Sequence, residues 1–399
     1  MSVTTIAALS AAGELHYSDG YRTQRSELAT SGFQILRVAD ISNGSIKLDG
    51  SDFVHASRRR AIGAKEAMEG DIVLTTKGTV GRIAIVPSLP RQAVYSPQVC
   101  YFRIADGSCI DRRWLFYWLQ SEQFWSQARD RMNNTDMAAY INLSDMGSLA
   151  LEIPTRSDQI AIAEVLGALD DKIAANQRTA HASWALSAAL YSQVSRNAGG
   201  SVLLGDLVAT QYGLTTPATG GPAQLLRVTD INKRPWITWE SVPFCDPSPA
   251  DMIRYKLAPG DIVVARMADP GKSAWISSDP LEAVFASYLV RLKVHDPTQS
   301  AFVYHFLQSQ AYLDYVQFSK QGSVQSNMNA KVIVNCPMPD PGKVDLKTFN
   351  EKASLLRQTI DISLAEASRL EALRDTLLPA LMSGKLHVRD AERAVEDVL

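Results

Sequence analysis

Ile162, Leu166, Leu169, Ile173, Asn176 and Ala180 recur at spacings of 4, 3, 4, 3 and 4, inside an uninterrupted helical pattern running from Ser157 to about Asn197. That is the a/d rhythm of a helix that buries one stripe against another helix. A partner lies in the same chain, because Phe349, Ala353, Leu356, Ile360, Ser363, Ala367 and Leu370 keep the same rhythm. Both stretches follow a proline, Pro154 for the first and Pro339 and Pro341 for the second. Ser157 or Asp158, and Asp345 or Thr348, are available as N-caps. A helix of roughly 40 residues is about 60 Å long at ~1.5 Å per residue, which suits a spacer better than an ordinary core. The two stripes predict an intramolecular antiparallel pair whose ends hold something apart.

What they hold apart is one module used twice. Gln34-Ile35-Leu36-Arg37-Val38-Ala39-Asp40-Ile41 recurs 190 residues later as Gln224-Leu225-Leu226-Arg227-Val228-Thr229-Asp230-Ile231. Gly70-Asp71-Ile72-Val73 recurs as Gly260-Asp261-Ile262-Val263, Gly81 as Gly271, and Ala93-Val94-Tyr95 as Ala283-Val284-Phe285, all at that offset. Several matches in register indicate an internal duplication. Within the first copy, β-rich runs (Ile35 to Ile41, Asp71 to Leu74, Arg82 to Val86, Val99 to Ile104) give way to a helical pattern from Arg112 to Arg129. The expected class is α+β, with a pseudo-two-fold order of globule (1–153), spacer helix (154–198), globule (199–340), and spacer helix with tail (341–399).

Length and charge narrow the function. At 399 residues the chain exceeds one ordinary core. Its formal charge of −2 excludes a bulk polycation, and no segment is strongly basic: residues 1–150 carry 16 Lys and Arg against 15 Asp and Glu, and 201–340 carry 11 against 12. A polyanion site would have to come from placement. Cys100, Cys109, Cys245 and Cys336 are scattered without a CxxC pair, so reduced thiols are expected rather than disulfides or zinc. The start, MSVTTIAALSAAGELH, lacks a basic region and meets Glu14 early. With no run near ~18 apolar residues, neither a signal peptide nor a membrane span is expected, and the expected location is cytoplasmic.

Candidate contacts fall into three groups. Arg82 and Lys272 align after the shared glycines, with Lys77 and Arg266 flanking them. Cations on glycine-bearing loops suit DNA phosphates, although single loop charges are as often merely solvated. Arg58, Arg59 and Arg60 form a basic run with no counterpart in the second copy, suited to a polyanion or to solvent. Asn133 and Asn134 lie in an amide-rich loop that corresponds to one bearing Gln321, Ser323, Gln325 and Asn327. Amides can pair bidentately with adenine, and ordinary turn formation is the alternative. Asp269-Pro270-Gly271-Lys272-Ser273 ends like a phosphate-binding loop. It lacks the leading glycine, however, and Pro270 removes an amide donor. No HExxH, catalytic triad, Asn-Pro-Pro-aromatic motif or glycine-rich cofactor fingerprint is present, so a reader without a cofactor is expected.

The layout resembles the specificity subunit of type I restriction-modification systems. The strings that carry the resemblance are the two Gly-Asp-Ile-Val motifs, Leu166-Gly167-Ala168-Leu169-Asp170-Asp171-Lys172-Ile173 after Ile153-Pro154, and Leu373-Arg374-Asp375-Thr376-Leu377-Leu378-Pro379-Ala380-Leu381-Met382-Ser383-Gly384-Lys385-Leu386. Pro154-Thr155-Arg156-Ser157-Asp158-Gln159 carries Asp where the family's spacer opening has Glu, and the second copy lacks the Gln. The resemblance implies two target-recognition domains that each read half of a split double-stranded DNA site. It implies an antiparallel coiled coil that recruits two methyltransferase subunits, with restriction/translocase subunits joining afterwards, and no catalysis by the chain itself. A coiled-coil scaffold that joins proteins without DNA would share the layout, and salt-dependent DNA affinity separates the two. A fused restriction-methylation enzyme would need catalytic motifs that this sequence does not carry.

Overall fold

The computed structural model describes residues 2–134, 139–278, 282–320 and 327–396. Two helices dominate it, Arg156–Arg196 with 41 residues and Leu346–Met382 with 37. Thr155 caps the first, its Oγ1 accepting from Asp158 N at 3.2 Å, two residues before Ser157 and three before Asp158. Asp345 caps the second, its Oδ1 accepting from Thr348 N at 3.1 Å. Every a/d residue named for the first stripe is buried, and so are those of the second apart from half-buried Leu356. Each stripe includes one buried polar residue, Asn176 and Ser363.

The chain divides into two compact units whose boundaries fall inside the long helices: 1–174 with 367–399, and 175–366. In the second unit, Ala180 clusters with Ile360, and the Tyr191 ring lies 6.4 Å from that of Phe349. Residue numbers therefore rise along one helix as they fall along the other, which is antiparallel pairing. In the first unit, Leu166, Leu169 and Ile173 share a core with Ala367, Leu370 and Leu377.

Each unit contains one copy of the module. In the first, an antiparallel sheet runs in the order Leu15–Asp19, Val99–Ile104, Ile72–Thr75, Ile83–Ile85. In the second, the order Val208–Tyr212, Leu289–Val294, Ile262–Ala265, Ser273–Trp275 repeats it. Ile72 and Leu74 face the helices while Val73 faces a second sheet, so both sides of the strand are covered and the run is apolar throughout. In the second sheet Phe33–Leu36 runs parallel to Ala93–Tyr95, pairing Ile35 with Val94, and the other copy pairs Leu225 with Val284, each residue 190 positions later. The duplication is thus one of register as well as of sequence.

Two expectations are corrected locally. The run Ile35 to Ile41 is a strand only to Leu36; Val38–Asp40 is a 3-10 turn in which Asp40 accepts from Arg37 N at 2.7 Å. Asp230 accepts from Arg227 N at 2.8 Å in the same way, so the repeated Arg-Val-x-Asp string encodes a capped turn. The helix expected over Arg112 to Arg129 is two helices, Arg112–Trp118 and Glu122–Arg131. The break falls where Ser121 turns its hydroxyl to accept from Phe124 N and cap the second.

Candidate nucleic-acid interface

In the first unit a turn joins strands Ile72–Thr75 and Ile83–Ile85, with Gly78 at φ 83° and Gly81 at φ 103°. Exposed Lys77 sits on it, its Nζ 6.0 Å from the centroid of the Tyr140 ring, and the neighbouring Thr76 carbonyl accepts from Ile141 N at 3.0 Å. Beside this turn lies a groove of about 470 Å3 lined by Asp19, Arg22, Lys77, Gln98, Tyr140 and Asn142. An adjoining recess of about 270 Å3 adds Arg25 and Arg37. The Arg22 side chain is 85% exposed and lies 3.9 Å from the Asp19 carboxylate, while Arg37 is paired with Asp52 at 2.6 Å. Cations placed on strand ends around an open groove are what a polyanion site needs in a chain without net positive charge.

Sequence reasoning missed Arg22 and Arg25. Their signal was the stretch Gly20-Tyr21-Arg22-Thr23-Gln24-Arg25, which opens on a glycine whose added Cβ would meet the Tyr95 and Ser96 carbonyl oxygens at 2.2 Å. Gly213 makes the same approach to Phe285 and Ala286, but Leu214-Thr215-Thr216-Pro217-Ala218 follows it without charge. The two copies present different chemistry from one scaffold.

The named candidates separate. Arg82 is half-buried and turns inward, Nη1 donating to the carbonyls of Val38 at 3.0 Å and Ile41 at 3.2 Å. Lys272, its aligned partner, is exposed. Arg58 is ion-paired with buried Glu27 at 3.1 Å and Arg59 with Glu66 at 3.4 Å, so two members of the basic run brace their own domain; Arg60 is exposed. Arg266 is half-buried, its guanidinium 5.0 Å from the Tyr212 ring centroid, and its carbonyl accepts from Met328 N at 2.9 Å, the counterpart of the Thr76–Ile141 bond. Asn133–Asn134 pairs as a strand with Ala139–Tyr140. Asn327 is exposed, and Gln321, Ser323 and Gln325 lie outside the described residues.

The loop at Gly271 is no phosphate cradle. Gly271 N is committed to Ala265 O at 2.9 Å and Lys272 N to Asp269 O at 3.3 Å, leaving those amides nothing to offer an anion. Gly81 N spends itself identically on Thr75 O. Ala268 fills with φ 63° the position that Gly78 holds in the first copy.

Each module is seated on its helix segments by specific bonds. Gln159, 1% exposed, donates to the carbonyls of Cys109 and Pro154 at 3.1 Å and accepts from Asp111 N at 2.7 Å. Although the second copy lacks this glutamine, Asn350 Nδ2 donates to Thr298 O at 2.6 Å and takes over the carbonyl half of the role. Tyr117, whose phenol burial and then the nearby carboxylate push up in pKa, donates to Asp170 at 2.7 Å, and Arg374 binds the same carboxylate at 2.9 Å. At the equivalent place His305 meets Ser187 at 2.7 Å. Among the described residues no group of three metal-ligating side chains occurs, and no helix is long and apolar enough to cross a membrane.

Residues 16–181 match a family described as type I restriction modification DNA specificity domain. The chain's fold is similar to that of a type I restriction-modification S subunit from M. genitalium, at 15% identity and TM-score 0.57 over 95% of each chain. A likeness to the HsdS subunit from Thermoanaerobacter tengcongensis covers 93% of this chain and 96% of that one, at 15% identity and TM-score 0.31. No curated protein matches the chain in sequence.

Proposed function

We propose that this chain, which belongs through residues 16–181 to the type I restriction-modification specificity family, reads a split double-stranded DNA site with its two modules. The observation that carries this reading is the repeated scaffold with an exposed cation on the corresponding sheet turn of each copy, Lys77 in one, where Arg22 lines the same groove, and Lys272 in the other. Phosphate contacts from such residues position a protein on DNA, and differing loops on a common scaffold suit two different half-sites. The long helices join the modules and dock two methyltransferase subunits, which supply the chemistry; restriction/translocase subunits join the complex afterwards. The chain itself contributes no catalytic group, and the reading places it in the cytoplasm, where its DNA is.

Sequencing of methylated adenines in cells that co-express the chain with its methyltransferase tests this. The expected result is a motif of two short specific halves around an unread gap. The chain alone, given S-adenosylmethionine and duplex DNA, transfers no methyl group. Methylation with no split motif, or turnover without a second subunit, overturns the reading.

A further inference from the structure

The two copies of the module diverge just after their shared capped turn. In the first copy, Ile41–Ser42 pairs with Ser45–Ile46, and Gly44 N donates to Ile83 O at 2.8 Å. Ile46 packs against that domain's own core beside Leu36, Val73 and Tyr101. The residue 190 positions later, in Ile46's place, is Trp236. It is 3% exposed, and its cluster is not the domain core but Ala180 of the first long helix and Ile360 of the second, with Trp184 and Leu364 around them. His181 meets the indole edge-on at 4.9 Å. The turn is also held from its own side, because the Tyr304 hydroxyl donates to Pro235 O, and the Tyr304 ring lies 5.6 Å from Trp184. A second tie lies close by: Ser277 Oγ is 3.5 Å from Asp361, which Arg357 holds at 2.7 Å.

A globule carried on two helices can rock or slide along its line of contact unless something plugs the seam. An indole buries roughly 200 Å2, and any displacement that withdraws it opens a cavity in close-packed surroundings. We propose that Trp236 is a positioning residue that fixes the second module on the helix pair, and so sets how strictly the gap between the two half-sites is measured. In the first copy the residue at this position, Ile46, packs on its own module instead, since its hairpin is folded onto its own sheet. This inference rests on the DNA-reading function above and assigns a residue to one part of it.

The test uses the full chain with its methyltransferase, and duplexes carrying both half-sites with the native gap, or a gap one base pair shorter or longer. Wild-type complex is expected to prefer the native gap by about tenfold or more, the scale on which single mismatched pairs are penalised. Trp236→Ala should reduce that preference below about threefold while the sequence preference within each half stays as it was, and Trp236→Phe should stay near wild type. Undiminished gap preference in Trp236→Ala overturns the proposal. Should that variant fail to fold, Trp236→Leu replaces it, and an undiminished gap preference there overturns the proposal equally. A wild-type complex that binds no split site overturns the parent function, and the positioning role with it.

Discussion

Arg103 grips Asp71 through two parallel hydrogen bonds, Nε to Oδ1 at 2.8 Å and Nη2 to Oδ2 at 2.6 Å, beneath the central sheet of the first module. Asp71 is 1% exposed and also accepts from the Tyr95 hydroxyl at 2.7 Å and Met68 N at 3.1 Å. The pair recurs as Arg291 with Asp261 at 3.2 Å. Gly70 and Gly260, at φ 85° and 93°, turn the chain so that the next carboxylate points inward. The repeated Gly-Asp-Ile-Val string is therefore a folding device, and the cations that face solvent lie elsewhere.

Removing one partner of a buried pair strands the other. Asp71→Ala should destabilise the first unit by about 3 kcal/mol, because Arg103 loses its bidentate partner and keeps only the carbonyls of Ala64 and Glu66. Asp261→Ala should cost less, since Arg291 makes a single bond to that carboxylate and keeps Lys256 O at 2.7 Å. Urea unfolding of the full chain, with hydrogen exchange to localise the loss, checks both. Equal losses from the two substitutions would contradict the assigned geometry.

His305 makes the second unit acid-sensitive. Burial pushes its pKa down to about 4, while its ring bonds to Ser187 and to Ala301 O at 2.7 Å. The unfolded chain, with an ordinary histidine near 6.5, binds the proton more readily, so stability is fully present above about pH 6.5 and declines as pH falls towards 4. The loss is on the order of 3 kcal/mol across that window. Denaturant midpoints between pH 7 and 4 should fall for wild type and flatten in His305→Gln.

The aligned cations should behave differently. Lys272→Ala should lower the salt dependence of DNA binding by about one unit and weaken all sequences alike, with stability unchanged. Arg82→Ala should instead cost about 1 kcal/mol of stability, through the loss of its two hydrogen bonds to the carbonyls of Val38 and Ile41. Binding titrations at several salt concentrations, beside thermal unfolding, separate the two effects.

Helix length should set the unread gap. Inserting seven residues after Asn176 preserves the a/d phase and lengthens the helix by roughly 10 Å, about three base pairs at ~3.4 Å each. Methylation-site sequencing should then return the same halves with a longer gap. A four-residue insertion should do worse, because it rotates the apolar stripe off its partner. An active seven-residue variant with an unchanged gap would show that the helices are not the ruler.

The seam was legible because its signal is local: spacings of 4 and 3 require only the pitch of one helix, and Ile162 to Ala180 are buried as that pitch demands. The duplication was legible for a similar reason, since Gly70 and Gly260 carry backbone requirements that few residues meet. Side-chain direction was not legible. Arg82 and Lys272 share an aligned position, yet one turns in to two carbonyls more than 40 residues away and the other stays in solvent. Asn350 does part of Gln159's work without aligning to it, and Trp236 leaves the core that Ile46 joins, to lodge between helices 56 residues before and 124 after it. Pitch and turn chemistry are written into a few neighbouring residues. Where a long side chain finds its partner depends on which surfaces the completed fold brings within reach, and only the tertiary structure decides that.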